Sequence, residues 1–184
     1  MKMHHVLYPA LGLLLGAPGI ADAHTLGPEA GIVAGLLHPL TGPDHLLTLL
    51  AVGFWAQRLG GTARWSIPAT ILTALLAGAL LAMSGVVWAL VEPAVWCSVA
   101  VMTWVGLRGT AWGLVPSCSL ATAVGILHGY AHAAGLPVER TLVWFTAGML
   151  VTSATLVVIG MSLALAAQTA SPRLAGIKVS TDRL

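Results

Sequence analysis

Long apolar runs separated by short polar breaks organise this chain. The first run covers residues 6–20. Later runs cover 27–55, 66–90, 94–107 (extendable back through Val91), 112–134 and 141–167. At 1.5 Å per residue, the 66–90 run is long enough to cross about 30 Å of hydrocarbon with some tilt. The breaks between runs are the basic loop 58–64, a tight turn at Glu92-Pro93, Arg108, and the loop 136–140. Small residues recur at four-residue spacing in Gly31/Gly35 and in Ala74/Gly78/Ala82. This pattern permits close helix approach, and packing within the chain is its first reading.

Composition turns this pattern into a membrane protein. Of the residues, 58% are hydrophobic and 8% charged, with a mean hydropathy of +0.92. Soluble domains carry about 25% charged residues, so this chain lacks the charge to cover a water-facing surface. The predicted fold is therefore all-α, a polytopic transmembrane helical bundle with no soluble domain. No basic block points to nucleic acid. Cys97 and Cys118 read as packing residues rather than a disulfide or zinc framework.

Residues 1–23 have the layout of a secretory signal: Lys2, an apolar core, then Ala21-Asp22-Ala23 as an A-x-A cleavage site. Removal predicts a mature chain starting at His24, a transmembrane domain over 24–170 and a short tail over 171–184. Five helices then remain, the first of them broken at Pro39–Pro43. With the mature N-terminus periplasmic, Arg58, Arg64, Arg108, Arg173, Lys178 and Arg183 fall on the cytoplasmic side, against Arg140 alone outside. That distribution obeys the positive-inside rule and predicts an inner-membrane protein with a cytoplasmic C-terminus.

The chemistry concentrates at His38-Pro39-Leu40-Thr41-Gly42-Pro43-Asp44-His45. A charged residue at mid-membrane costs roughly 2.5–3.5 kcal/mol on insertion scales, and the two prolines and the glycine weaken the helix at the same place. Asp44 has two readings, an N-cap for the helix 45–57 or a ligand. Capping leaves His38 and His45 unexplained. Further along, His128-Gly129-Tyr130-Ala131-His132 sets two imidazoles one helical turn apart, the spacing a chelate requires. With His24 and Glu92 at the same outer side, the candidate ligands are His24, His38, Asp44, His45, Glu92, His128 and His132. Imidazole plus carboxylate without thiolate suits a divalent first-row metal, and suits calcium or magnesium poorly.

These residues resemble the HupE/UreJ family. The resemblance rests on His24-Thr25-Leu26-Gly27, on HPLTGPDHLLTLLAVGFWA at 38–56, on Val91-Glu92-Pro93 and on His128-Gly129-Tyr130-Ala131-His132. The first motif is similar to the H-x4-D-H signature of nickel/cobalt transporters, one residue longer. The resemblance implies a secondary nickel permease serving hydrogenases or ureases. It places His38, Asp44 and His45 in metal recognition, with Glu92, His128, His132 and His24 in support. Two departures stand out: Ala133-Ala134-Gly135 follow the second motif with no acid before Glu139, and Val157 stands where many members carry a histidine.

The leading expectation is therefore a permease, not an enzyme, for nickel or alternatively cobalt. It has no permanently bound cofactor; the ion is cargo. Its partners are the lipid bilayer, hydrogenase or urease maturation proteins, and a second copy of the chain as a candidate oligomer. The competing expectations are a non-transporting metal-binding accessory protein and a membrane-embedded metalloenzyme. The absence of H-E-x-x-H counts against the enzyme.

Overall fold

The structure, a computed structural model, describes residues 31–109, 111–134 and 140–170. The expected signal segment, His24 and the tail 171–184 lie outside the described residues. Among the described residues there are six helices and no strand: α1 Gly31–Thr41, α2 Pro43–Leu59, α3 Ala63–Met83, α4 Val91–Arg108, α5 Leu114–Ala133 and α6 Arg140–Ala170.

The expected break in the first span is one residue wide. Pro39 is accommodated inside α1, whereas Gly42, preceding Pro43, takes φ −87° and ψ 110°. Proline excludes the helical conformation from the residue before it and is itself favourable at a helix start. Backbone hydrogen bonds still cross the junction, from Gly42 to the His38 carbonyl and from Leu46 to the Gly42 carbonyl, both at 3.0 Å. The chain therefore keeps its course through the interruption.

That course follows α6. Gly148 packs against Ile32, the Thr152 hydroxyl donates to the Leu36 carbonyl at 2.8 Å, and Gly160 packs against Leu50. Contacts rise together along both segments, so α1 and α2 run parallel to α6 as one interrupted span. The 31 residues of α6 give it a length of about 46 Å.

A second close pair, α3 with α5, supplies the other wall. A Cβ at Gly78 would run into the Ile126 carbonyl, and one at Gly129 into the Leu75 carbonyl. The Gly78 stripe is thus an intramolecular contact, and Gly35 against the Phe145 carbonyl is another. Helix α4 lies against α2. The Arg58 guanidinium, buried at the end of α2, donates to the carbonyls of Gly106 (3.0 Å) and Leu107 (2.8 Å) at the end of α4. A cation there satisfies carbonyls the helix leaves open and complements its dipole. Between the pairs, Trp55, Ile67, Ile71 and Met102 form the main buried core.

The span count is met only in part. Three helices are long and apolar enough to cross a membrane, Ala63–Met83, Leu114–Ala133 and Val143–Ala170. In α4, Glu92 and Arg108 at the two ends lower the apolar content, and the proline break divides the first span into two shorter helices. Two local expectations are also corrected. Glu92-Pro93 is not a turn but the first turn of α4, a position proline tolerates because that N–H has no helical partner. The second span stops at Met83 rather than 90, and residues 84–90 form a non-helical connection. The outward faces carry Trp65, Val87, Leu90, Leu107 and Val115, all well exposed. Such a surface suits lipid rather than water.

Candidate metal centre

Three helices bring the polar residues together. His38 comes from α1, Asp44 and His45 from the first turn of α2, and His128 and His132 from the last turns of α5. Because α5 is held flush against α3 by Gly125 and Gly129, its histidine-bearing end is fixed beside the break.

Ligand atoms of Asp44, His45, His128 and His132 all lie within 4.8 Å of one another. An ion bound at about 2.0–2.1 Å to imidazole nitrogen holds opposite ligands no more than about 4.2 Å apart. The four groups therefore need only a small contraction to share one ion. His45 and His132 are the most intimate pair, with ring centroids 3.7 Å apart; His128 lies 5.3 Å from His45.

Asp44 does not cap its helix. Gly42 occupies the N-cap position, no side chain caps there, and the Asp44 carboxylate oxygen Oδ2 lies 3.0 Å from His45 Nδ1. The carboxylate orients the ring instead. His45 is 2% exposed, and its Nε2 has no hydrogen-bond partner among the described residues. An unsatisfied buried polar group costs about 1–3 kcal/mol, so an ion that takes this lone pair would relieve it. Gly42 also leaves the room this arrangement needs: a Cβ there would lie 2.9 Å from His45 Nδ1 and 3.0 Å from Asp44 Oδ1.

His38 stands one step back. Its Nε2 shares a 2.8 Å hydrogen bond with His132 Nδ1, and its ring packs edge-on against Phe145 at 5.3 Å. It meets the group through that bond and through an edge-on contact with the His45 ring, centroids 5.1 Å apart, while lying outside the four residues whose ligand atoms converge. Glu92 lies exposed on the first turn of α4, outside that group. His24 lies outside the described residues. Val157 is buried in an apolar cluster with Leu49, Leu75 and Leu156.

Two contributors have no motif to announce them. Ser98 is a small polar residue in an otherwise apolar stretch of α4, and its hydroxyl lies 2.8 Å from His128 Nε2. Tyr130, between the two α5 histidines, donates to the Val86 carbonyl and accepts from the Trp88 N–H at 2.9 Å, and its ring stacks on Trp88. It ties the 84–90 connection to the histidine-bearing end of α5. An isolated hydroxyl in an apolar helix was the available signal for Ser98; Tyr130 had only its place inside the histidine pair.

Comparison with known proteins agrees with the motifs. The family model described as HupE / UreJ protein matches residues 12–181. Protein HupE of Rhizobium leguminosarum bv. viciae is 37% identical over 153 residues, covering 82% of this chain and 78% of that protein. No solved structure matches the chain.

Proposed function

The chain belongs to the HupE/UreJ family, and on that premise we propose that it is a secondary permease for a divalent transition metal. Nickel is the first candidate cargo and cobalt the second, for use in hydrogenase or urease maturation. The observation carrying this reading is the convergence of one carboxylate and three imidazoles, from α2 and α5, at a helix break within an apolar bundle. Nitrogen-rich, thiolate-free ligand sets suit nickel, cobalt and zinc. Broken helices near mid-membrane are a recurring way to build a transport site, because the interruption frees polar groups where side chains also converge.

In this reading Asp44 supplies negative charge against the cation, while His45, His128 and His132 supply neutral nitrogen. His38 steadies His132 from behind. Glu92 and the mature N-terminal His24 act on the approach from outside rather than at the break. The protein sits in the inner membrane with its mature N-terminus periplasmic and its C-terminus cytoplasmic, and it carries out no enzymatic step. No G-x-x-x-x-G-K-[ST] motif occurs in the sequence, so the drive comes from a gradient or a partner. A potential of 100 mV, negative inside, favours inward movement of a divalent ion by about 4.6 kcal/mol, from about 2.3 per charge.

The test is uptake into proteoliposomes with nickel, cobalt and zinc compared side by side. Saturable nickel flux supports the permease. Tight binding with no flux for any of the three supports the accessory protein instead.

A further inference from the structure

Helix α4 contributes none of the four grouped ligand residues, yet one of its side chains reaches them. Ser98, 8% exposed, has its hydroxyl 2.7 Å from the Val95 carbonyl and 2.8 Å from His128 Nε2. A hydroxyl carries one hydrogen, and a carbonyl can only accept. The hydrogen given to Val95 leaves Ser98 Oγ as an acceptor toward the imidazole. His128 Nε2 must then be the nitrogen that carries hydrogen, and Nδ1 keeps the lone pair.

We propose that Ser98 is a positioning residue that holds His128 in its Nε2–H form and presents Nδ1 to the cation. The proposal rests on the metal-site reading above. Ligating histidines generally donate their second ring nitrogen to a neighbouring acceptor, which fixes both the tautomer and the ring orientation. Here a serine hydroxyl, itself anchored one turn back on its own helix, is that acceptor. His128 is 2% exposed, which leaves little room for water to replace Ser98.

The two α5 histidines are thereby held from different helices and by different nitrogens. His132 uses Nδ1 toward His38 on α1; His128 uses Nε2 toward Ser98 on α4.

The experiment uses the full-length protein purified in detergent, with ¹⁵N-labelled histidine. His128 is assigned by comparison with His128→Gln, and its tautomer is read from long-range ¹H–¹⁵N couplings in the metal-free state. Nickel and cobalt affinities come from calorimetry. The expected result is hydrogen on Nε2 in the wild type. In Ser98→Ala that preference is lost and affinity falls 10–100-fold, the range found when an outer partner of a ligand is removed. Ser98→Thr, which keeps the hydroxyl, restores the tautomer and most of the affinity. Hydrogen on Nδ1 in the wild type overturns the proposal while leaving the metal site standing, as does a Ser98→Ala protein unchanged in tautomer and affinity. A wild type that holds the Nε2–H form yet binds neither metal overturns the metal-site reading, and the role given to Ser98 falls with it.

Discussion

His45 and His132 come from opposite halves of the chain, and their rings lie with centroids 3.7 Å apart inside the helical bundle. Hydrophobic burial alone gives no reason for two imidazoles to meet in an apolar interior. Buried polar rings are costly unless their nitrogens find partners, and in the proposed function a shared cation is such a partner. Asp44 beside His45 and His128 one turn from His132 complete a group of one carboxylate and three imidazoles.

Removing that charge should weaken binding while leaving the fold intact. Asp44→Asn keeps size and shape but loses the formal charge and the orientation of His45 Nδ1. Calorimetric nickel affinity should fall by at least the 10–100-fold typical for loss of an outer partner. Affinity within about threefold of wild type, well short of that range, would remove Asp44 from the site.

His38 should behave differently from the residues it adjoins. Because it hydrogen-bonds His132 Nδ1 and packs on the His45 ring yet lies outside the four converging ligand atoms, His38→Ala is expected to lower affinity about 10–100-fold without abolishing binding. His38→Gln, which retains a polar group at similar reach, should recover part of the loss. The check is a calorimetric series of both variants beside His45→Ala; equal and complete loss in His38→Ala and His45→Ala would make His38 a ligand in its own right.

These distinctions show how much of the site the sequence carried. The spacing His38…Asp44-His45 and the pair His128/His132 are visible because ionisable side chains are costly in an apolar run and stand out against it. Which of them touch one another is not visible, since it depends on the α3–α5 contact at Gly78 and Gly129. That contact brings His132 closest to His45, with His38 next to both. Ser98 escapes notice because a lone serine in a helix ordinarily bonds its own backbone, as Ser98 also does to Val95. Asp44 shows the reverse case: a carboxylate at a helix start invites the capping interpretation, but proline at position 43 moves the helix start two residues earlier and leaves Gly42 as the cap. The break at 42 was legible for the same reason, whereas Glu92-Pro93 was not a break, because proline in a first turn interrupts nothing.

Protons should compete with the metal. Imidazole must be neutral to ligate, because protonation occupies the lone pair the ion needs. Acidification therefore lowers both affinity and uptake. Nickel affinity measured by calorimetry at neutral and at acidic pH should be weaker on the acid side. A flat profile would show that imidazoles do not hold the ion.

The helix contact that positions α5 can be tested separately. Gly129→Ala adds a Cβ that runs into the Leu75 carbonyl. Overpacking of this kind costs about 1–3 kcal/mol, so thermal stability in detergent should drop and metal affinity should fall with it. Leu80→Ala on the same helix pair is the control, because Leu80 is exposed toward lipid; it should leave both nearly unchanged.

The most direct measurement is nickel flux into proteoliposomes carrying the wild type or His45→Ala, under an inside-negative potential and without acidification, so that protons do not compete for imidazole. The account predicts saturable uptake by the wild type and background uptake by the variant, with both proteins equally incorporated and equally helical. Equal uptake by the two proteins would contradict it.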